Sequence, residues 1–234
     1  MNQPDSSNTH KPRGCAGLFF LFIVLVGALW GAGLGFFVWL VDDASQNVAI
    51  ALAEFRPKVG SKVYSTDGQQ IGEFAIQERQ LVRLSDIPLH LQKAFIATED
   101  DSFYEHRGVN PFAILNGVVW HTIKTGSPRG GSTITQQVVR NVEPLGIGFE
   151  RKIMRKIKEA IAALQVEREF TKDEILELYL NQIFLGKSAY GVEAASRQYF
   201  GKSCTELSLA ESATIAGLNR APNTRNPIVN PKEA

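Results

Sequence analysis

The segment from Ala16 to Val41 constrains this chain more than any other feature, because it contains no charged or amide side chain. A helix needs roughly 20 apolar residues to cross the hydrocarbon core of a bilayer. The run is longer than that, so it predicts a transmembrane helix over residues 16–41. The alternative is a cleaved signal peptide, whose apolar region is shorter, about 7–15 residues, and ends at a site of small residues. The following sequence, VWLVDDASQ, offers no convincing site of this kind, which favours an uncleaved anchor.

Charges on either side of this segment predict its orientation. Lys11 and Arg13 precede it, whereas Asp42 and Asp43 follow it. Basic residues are retained on the cytoplasmic side of a membrane. We therefore expect residues 1–15 to form a cytoplasmic tail. The chain then crosses the membrane once, and the rest of it lies outside.

Composition argues against nucleic-acid binding and against a disulfide or a Cys/His metal site. The net charge of +1 implies no general attraction to nucleic acid, and no nucleic-acid partner is expected. The two cysteines, Cys15 and Cys204, lie on opposite sides of the predicted span and cannot form a disulfide within one chain. Their spacing also does not match a Cys/His metal site.

Residues 42–86 are predicted to be a connector with a short β-hairpin. Apolar and polar residues alternate between residues 62 and 84, and Asp67-Gly68 interrupts them with a turn signal. This pattern is typical of two strands joined by a tight turn.

Residues 87–234 are predicted to form a mainly α domain. Thr171 with Glu174, and Ser208 with Glu211, have the spacing of capping boxes that begin helices. Apolar residues recur at helical spacing after each of them. The segment is long enough for one hydrophobic core.

An acidic segment, ATEDDSFYEHRG, is the first candidate for chemistry. Glu99, Asp100 and Asp101 are consecutive, and neighbouring carboxylates repel one another, which is useful where one of them must handle a proton. The alternative is an acidic helix end before a turn at Gly108, and composition alone favours it.

A basic segment, RKIMRKIKE, is the second candidate. Arg151, Arg155 and Glu159 share one helical stripe, and an acid among cations can orient them toward a phosphate. The alternative is a solvated helix with ion pairs, or a basic face on anionic lipid.

The third candidate, GGSTITQQVVRN at residues 130–141, is rich in hydroxyl and amide groups. A nucleophile there would need a base beside it, and the sequence nearby supplies none. The alternative is a glycine-rich loop in which Ser132 or Thr133 caps the next helix.

In order and spacing, five segments of the chain resemble the five motif blocks of the family 51 peptidoglycan glycosyltransferases. That family comprises the polymerase domains of class A penicillin-binding proteins and the monofunctional transglycosylases. The segments are EDDSFYEHRG, GGSTITQQVVRN, RKIKEAIAALQVEREFTKDEILELYLNQI, GKSAYGVEAASRQYFGK and LSLAESATIAGLNRAPNTRNP. The resemblance covers about residues 87–230 and implies a lysozyme-like glycosyltransferase domain.

The resemblance implies an inverting enzyme that polymerises lipid II into β-1,4-linked glycan strands and releases undecaprenyl pyrophosphate. Glu99 matches the general base, and Glu159 matches the second essential glutamate near the pyrophosphate. The residues that match expected substrate contacts are Asp100, Phe103, His106, Gly131, Ser132, Thr133, Gln136, Gln137, Arg140, Arg151, Arg155 and Lys156. The expected cofactor is a divalent cation, Mg²⁺ or Mn²⁺, at the pyrophosphate, with no organic cofactor.

The expected partners are lipid II, the growing glycan strand, membrane lipid and the cell-wall synthesis machinery, at the cytoplasmic membrane of a bacterium. Two rival interpretations are a lysozyme-like lytic enzyme and a catalytically inactive membrane scaffold.

One departure from the family's sequence pattern is Arg140, at a position where the family more often has lysine. The chain ends at NPKEA, where the family's helix normally continues. We therefore expect a truncated glycosyltransferase domain from a longer, bifunctional protein, with a complete monofunctional enzyme as the alternative.

Overall fold

The computed structural model describes residues 14–54, 61–74, 78–114, 123, 131–141, 152–220 and 222. The chain divides into two compact units, Met1–Asp43 and Ala44–Ala234. Residues 1–13 of the predicted cytoplasmic tail lie outside the described residues.

The first element is a long helix, α1, at Gly14–Glu54. Residues 17–39 within it have a mean hydropathy of 2.3 and enough length to cross a membrane, and this window is not buried in the protein. The predicted apolar N-terminal helix is therefore confirmed. The helix continues past Val41 into the predicted connector, because no proline or glycine interrupts the sequence between Gly35 and Pro57.

The predicted β-hairpin is also confirmed. Strand β1, Ser61–Tyr64, pairs in antiparallel fashion with β2, Gln70–Phe74. Gly68 lies in the turn with φ +82°, a conformation that glycine adopts without strain. The alternation beyond Phe74 does not extend this hairpin. Instead, β3 at Glu78–Arg79 pairs in parallel with a distant strand, β4, at Ala189–Tyr190.

The other elements are helical, as predicted for a mainly α domain. They are α2 (Leu89–Glu99), α3 (Pro111–Ile114), α4 (Ile134–Asn141), α5 (Lys152–Glu169), α6 (Lys172–Gln182), α7 (Val192–Phe200) and α8 (Leu209–Leu218), with 3-10 turns at Leu84–Asp86 and Cys204–Glu206. Both predicted capping boxes are present. The N–H of Thr171 donates to Glu174 Oε2 at 2.8 Å, and the N–H of Ser208 donates to Glu211 Oε2 at 2.7 Å.

The core of the domain lies where α4 packs against α5 and α6, and where α2 packs against α8. Phe95 from α2 and Tyr179 from α6 meet there edge to face, with ring centroids 6.0 Å apart. Both side chains are almost completely buried, and each such burial contributes roughly 1.5–3 kcal/mol. This packing fixes the ends of α2, α4 and α8 in space.

Gly108 allows a close approach between two parts of the domain. It has φ +75°, and a Cβ at this position would lie 2.6 Å from the carbonyl oxygen of Ala163 on α5. The carbonyl of Gly108 in turn accepts a hydrogen bond from the Thr133 hydroxyl at 2.6 Å. The turn after α2 is thereby held between α5 and the start of α4.

Candidate active site

A cleft of about 370 Å³ lies where the C-terminal ends of α2 and α8 meet the helix α4. The lining residues are Thr98, Glu99, Ser132, Gln137, Arg140, Asn219 and Arg220. Each of these side chains carries a charge, a hydroxyl or an amide. The composition of the cleft therefore suits a polar, charged ligand.

Glu99 is the carboxylate of this cleft. It is the last residue of α2 and is partly buried. The amide Nε2 of Gln137 donates a hydrogen bond to Glu99 Oε2 at 2.9 Å. Among the described residues this is its one side-chain hydrogen bond, so the second carboxylate oxygen remains available to a ligand.

Two arginines supply positive charge to the same cleft. Arg140 lies in the last turn of α4, and Arg220 follows the end of α8. Within the part of the chain that the structure describes, neither guanidinium forms an ion pair. A cation at a helix C-terminus is favoured by the helix dipole. The two guanidiniums outweigh the negative charge of Glu99, so the side chains named as lining the cleft carry a net positive charge.

Glu159 lies beside the cleft and is fully buried on α5. Its Oε2 is 2.6 Å from Lys156 Nζ, and its Oε1 is 3.4 Å from Arg155 Nε. Lys156 Nζ also donates to the Ser132 hydroxyl at 2.8 Å, which links this cluster to the cleft wall. A buried carboxylate requires such partners, because an isolated charge in the interior is costly. Glu159 thus holds two cations next to the cleft.

Asp100, which follows Glu99, anchors the polypeptide rather than lining the cleft. Its Oδ2 accepts the backbone N–H of Ile134 at 3.0 Å, which binds it to the N-terminus of α4. Nε2 of His106 lies 2.9 Å from both of its oxygens. Asp100 therefore fixes the position of α4 relative to the end of α2.

Thr133 and Gln136 form a capping box at the start of α4. The N–H of Thr133 donates to Gln136 Oε1 at 3.1 Å, and the N–H of Gln136 donates to Thr133 Oγ1 at 3.2 Å. Both side chains are buried. The expectation that a residue of this segment caps the next helix is confirmed for Thr133. The side chains of Thr133 and Gln136, which the sequence predicts to contact substrate, therefore form hydrogen bonds within the cap.

The predicted substrate-binding residues thus divide between the cleft and the interior. Ser132, Gln137 and Arg140 line the cleft, and Arg155 and Lys156 surround Glu159. The others that the structure describes lie elsewhere. Those in the interior or at the partly buried start of α4 are Asp100, Phe103, His106, Gly131, Thr133 and Gln136. Arg151 lies outside the residues whose side chains the structure describes.

Sequence reasoning missed Thr98, Asn219, Arg220 and Tyr179. The amide of Asn219 donates to the Tyr179 hydroxyl at 3.1 Å. Burial, and then the negative charge of Glu99, raise the pKa of Tyr179 well above its ordinary value, so the phenol stays neutral near the cleft. The signal for Asn219 and Arg220 was present, because both lie inside the fifth motif block.

The described residues contain no group of three or more His, Cys, Asp or Glu side chains placed to hold a metal ion. Glu99 is the acidic side chain that lines the cleft. The expectation of Mg²⁺ or Mn²⁺ stays a prediction.

Comparisons with known proteins agree on one family. Residues 67–234 match the family model described as "Transglycosylase". The chain is 42% identical over 207 residues to penicillin-binding protein 1A of Neisseria flavescens, covering 88% of this chain and 26% of that protein. It is 43% identical over 210 residues to penicillin-binding protein 1A of Escherichia coli strain K12, covering 90% and 24%. The chain spans about a quarter of the length of these curated relatives.

Proposed function

The chain belongs to the transglycosylase family, and from this premise we propose that it is a peptidoglycan glycosyltransferase. Its substrate is lipid II, which it polymerises into β-1,4-linked glycan strands with release of undecaprenyl pyrophosphate. One observation carries this proposal: a carboxylate, Glu99, shares a polar cleft with two guanidiniums, Arg140 and Arg220. Such a cleft offers a base at one place and charge stabilisation at another.

Glu99 acts as the general base. The 4-hydroxyl of the acceptor sugar is a weak nucleophile at neutral pH, and a positioned carboxylate that takes its proton accelerates attack by roughly 10²–10⁴-fold. The hydrogen bond from Gln137 fixes one oxygen of Glu99 and leaves the other for the sugar hydroxyl. The oxygen attacks the anomeric carbon as the bond to pyrophosphate breaks, so the configuration inverts from α to β.

The cations bind the departing pyrophosphate. Negative charge grows on the leaving oxygen, and fixed positive groups lower the barrier most where that charge develops. Arg140 and Arg220 present planar guanidiniums that match phosphate oxygens with two hydrogen bonds. Glu159 orients Lys156 and Arg155 beside them. For Arg151 a phosphate-binding role is proposed from the sequence alone, by its place at the start of the basic segment RKIMRKIKE.

The helix α1 anchors the enzyme where its substrate is found. A lipid-linked substrate stays in the bilayer, and an anchored enzyme meets it by diffusion in two dimensions. The apolar window at residues 17–39 is long enough for this purpose. We place the N-terminus in the cytoplasm and the catalytic domain on the outer side of the bacterial cytoplasmic membrane, on the charge pattern around the span.

The cleft also bears on the two rival functions. A lytic enzyme cleaves glycan without a pyrophosphate leaving group and would gain nothing from Arg140 and Arg220. An inactive scaffold would have no use for a partly buried Glu99 whose second oxygen is available in a charged cleft. Neither rival accounts for the carboxylate and the cations together.

The test is product analysis with the full chain in detergent. Incubation with labelled lipid II should give long glycan strands, and Glu99→Gln should lower the turnover by at least about 100-fold. Its matched control is Glu105→Gln, an exposed carboxylate that does not line the cleft. Shortening of preformed glycan, with lipid II unchanged, would instead support the lytic enzyme. Equal turnover in Glu99→Gln and the unaltered chain would refute the role of Glu99.

A further inference from the structure

Three helices meet at one buried carboxylate oxygen. The hydroxyl of Thr135, the second residue of α4, donates to Glu167 Oε1 at 2.5 Å. Lys172, the first residue of α6, donates from Nζ to the same oxygen at 2.7 Å. Thr135 is fully buried, and the side chain of Glu167 on α5 is 5% exposed. This contact joins α4, α5 and α6 at a place outside the cleft.

The same cluster continues to the segment that follows Glu99. Lys172 Nζ lies 4.5 Å from the centre of the Phe103 ring, a cation–π contact. Phe103 belongs to the turn that contains Asp100, whose carboxylate binds the N-terminus of α4 at Ile134. The start of α4 is therefore held by polar contacts on two sides.

Such contacts matter because α4 is only eight residues long. A helix of two turns is unstable by itself in water, so its orientation follows from what it packs against. Val138 and Val139 are buried on the same side as Thr135, one turn further on. Apolar packing is not directional, whereas a short hydrogen bond is restricted in distance and angle. The hydroxyl of Thr135 therefore restricts rotation of α4 about its axis.

Rotation of α4 bears directly on the cleft, because α4 carries Gln137. We propose that Thr135 and Glu167 are positioning residues, whose hydrogen bond sets the rotation of α4 and so places Gln137 against Glu99. They act from the buried side of the helix and do not touch substrate. This inference rests on the proposed function, because Gln137 matters only if Glu99 is the base.

The first test removes the hydroxyl alone. Thr135→Val replaces it with a methyl group of similar volume, and kcat for lipid II polymerisation should fall about 10-fold or more, since small displacements of catalytic groups cost up to about 100-fold. Thr135→Ser keeps the hydroxyl and should restore kcat to within about threefold of the unaltered chain.

A matched control separates positioning from stability. Ser196 on α7 is also fully buried, and its hydroxyl donates to the carbonyl of Lys202 at 2.7 Å, away from the cleft. Ser196→Ala should lower Tm without changing kcat measured well below Tm. If Ser196→Ala lowered kcat as much as Thr135→Val, the effect would be one of general stability and the positioning role would be overturned.

The decisive measurement is a double-mutant cycle with Gln137. If Thr135 acts through Gln137, the loss caused by Thr135→Val should shrink to less than about twofold in a Gln137→Ala background. Independent losses that multiply in full would overturn the inference, as would an unchanged kcat in Thr135→Val. Should Thr135→Val fail to fold, Thr135→Ala removes the same hydroxyl and enters the same cycle.

The outcomes distinguish this inference from the proposed function. Activity that depends on Glu99 but not on Thr135 would uphold the function and refute the positioning role. A chain that leaves lipid II unchanged would refute both.

Discussion

Two adjacent glutamines should respond to alanine substitution in opposite ways. Gln136 is 4% exposed and accepts the N–H of Thr133 in the cap of α4, whereas Gln137 is partly exposed and binds Glu99 in the cleft. We expect Gln136→Ala to lower mainly stability and Gln137→Ala to lower mainly activity.

The magnitude for Gln136→Ala follows from its contacts. The substitution leaves the buried N–H of Thr133 without its acceptor, which costs about 1–3 kcal/mol. It also removes buried methylene surface, at about 0.8 kcal/mol for each CH₂ group. A total of about 2–4 kcal/mol lowers Tm by about 4–16 °C in a chain of this size. Gln136→Glu keeps an acceptor oxygen at the same position and should retain more of the stability.

The magnitude for Gln137→Ala follows from the open cleft. Water can hydrate Glu99 there once the amide is lost, so the free energy of unfolding should fall by less than about 1 kcal/mol. The carboxylate loses its orienting partner, and kcat should fall about 10- to 100-fold.

Thermal unfolding followed by circular dichroism gives Tm for both variants in detergent. Polymerisation of labelled lipid II well below Tm gives kcat for the folded protein. An unchanged Tm together with a collapse of activity in Gln136→Ala would refute the capping role, because Gln136 would then be a substrate contact as its sequence context predicts.

Two further predictions concern charge. Arg140→Ala should lower kcat/KM for lipid II by at least about 10-fold with little change in Tm. Arg140→Lys keeps the cation and should recover most of this loss. Equal defects in both variants would contradict a phosphate-binding role. Hydrogen bonds from Ser208 and Lys202 lower the pKa of Glu211 to about 2, so its contribution to stability is present above pH 4.5 and is lost as the pH falls toward 2. Glu211→Gln should therefore lower Tm at pH 6 more than at pH 2, and an equal loss at both values would refute this linkage.

The features of the fold that were predicted correctly depend on local sequence. The turn at Asp67-Gly68 requires only a glycine at positive φ between two alternating runs. The capping box at Thr171 requires only an acceptor three residues later. Neither depends on which other part of the chain lies nearby, so one sequence suffices to recognise them.

The pairing of β3 with β4 could not be predicted in the same way. Glu78 faces Ala189 in that pair, and the intervening chain contains most of the domain. Strands of two residues carry too few side chains to show a period, and a contact so distant along the chain depends on how the helices between them pack.

The segment GGSTITQQVVRN shows why the site was only partly predicted. Its sequence contains the spacing Thr133-x-x-Gln136 of a capping box, a local signal that could have separated these two residues from substrate contacts. Consecutive residues on a helix differ by about 100° in direction, so neighbours such as Gln136 and Gln137 can face different surroundings. Which of them faces the cleft depends on the rotation of α4 against α5 and α6.

The architecture of the cleft gives a reason for the acidic pair at the end of α2. Glu99 lies in the cleft, and Asp100, one residue later, binds the N-terminus of α4 and His106. If the C-terminal end of α2 were free, Glu99 would move relative to Gln137. Asp100 prevents this, because it attaches the chain immediately after Glu99 to α4, the helix that carries Gln137. On the proposed mechanism the two neighbouring carboxylates therefore have separate tasks, proton transfer for Glu99 and attachment of α4 for Asp100. A substitution of Asp100 should impair catalysis although its own side chain need not touch the sugar.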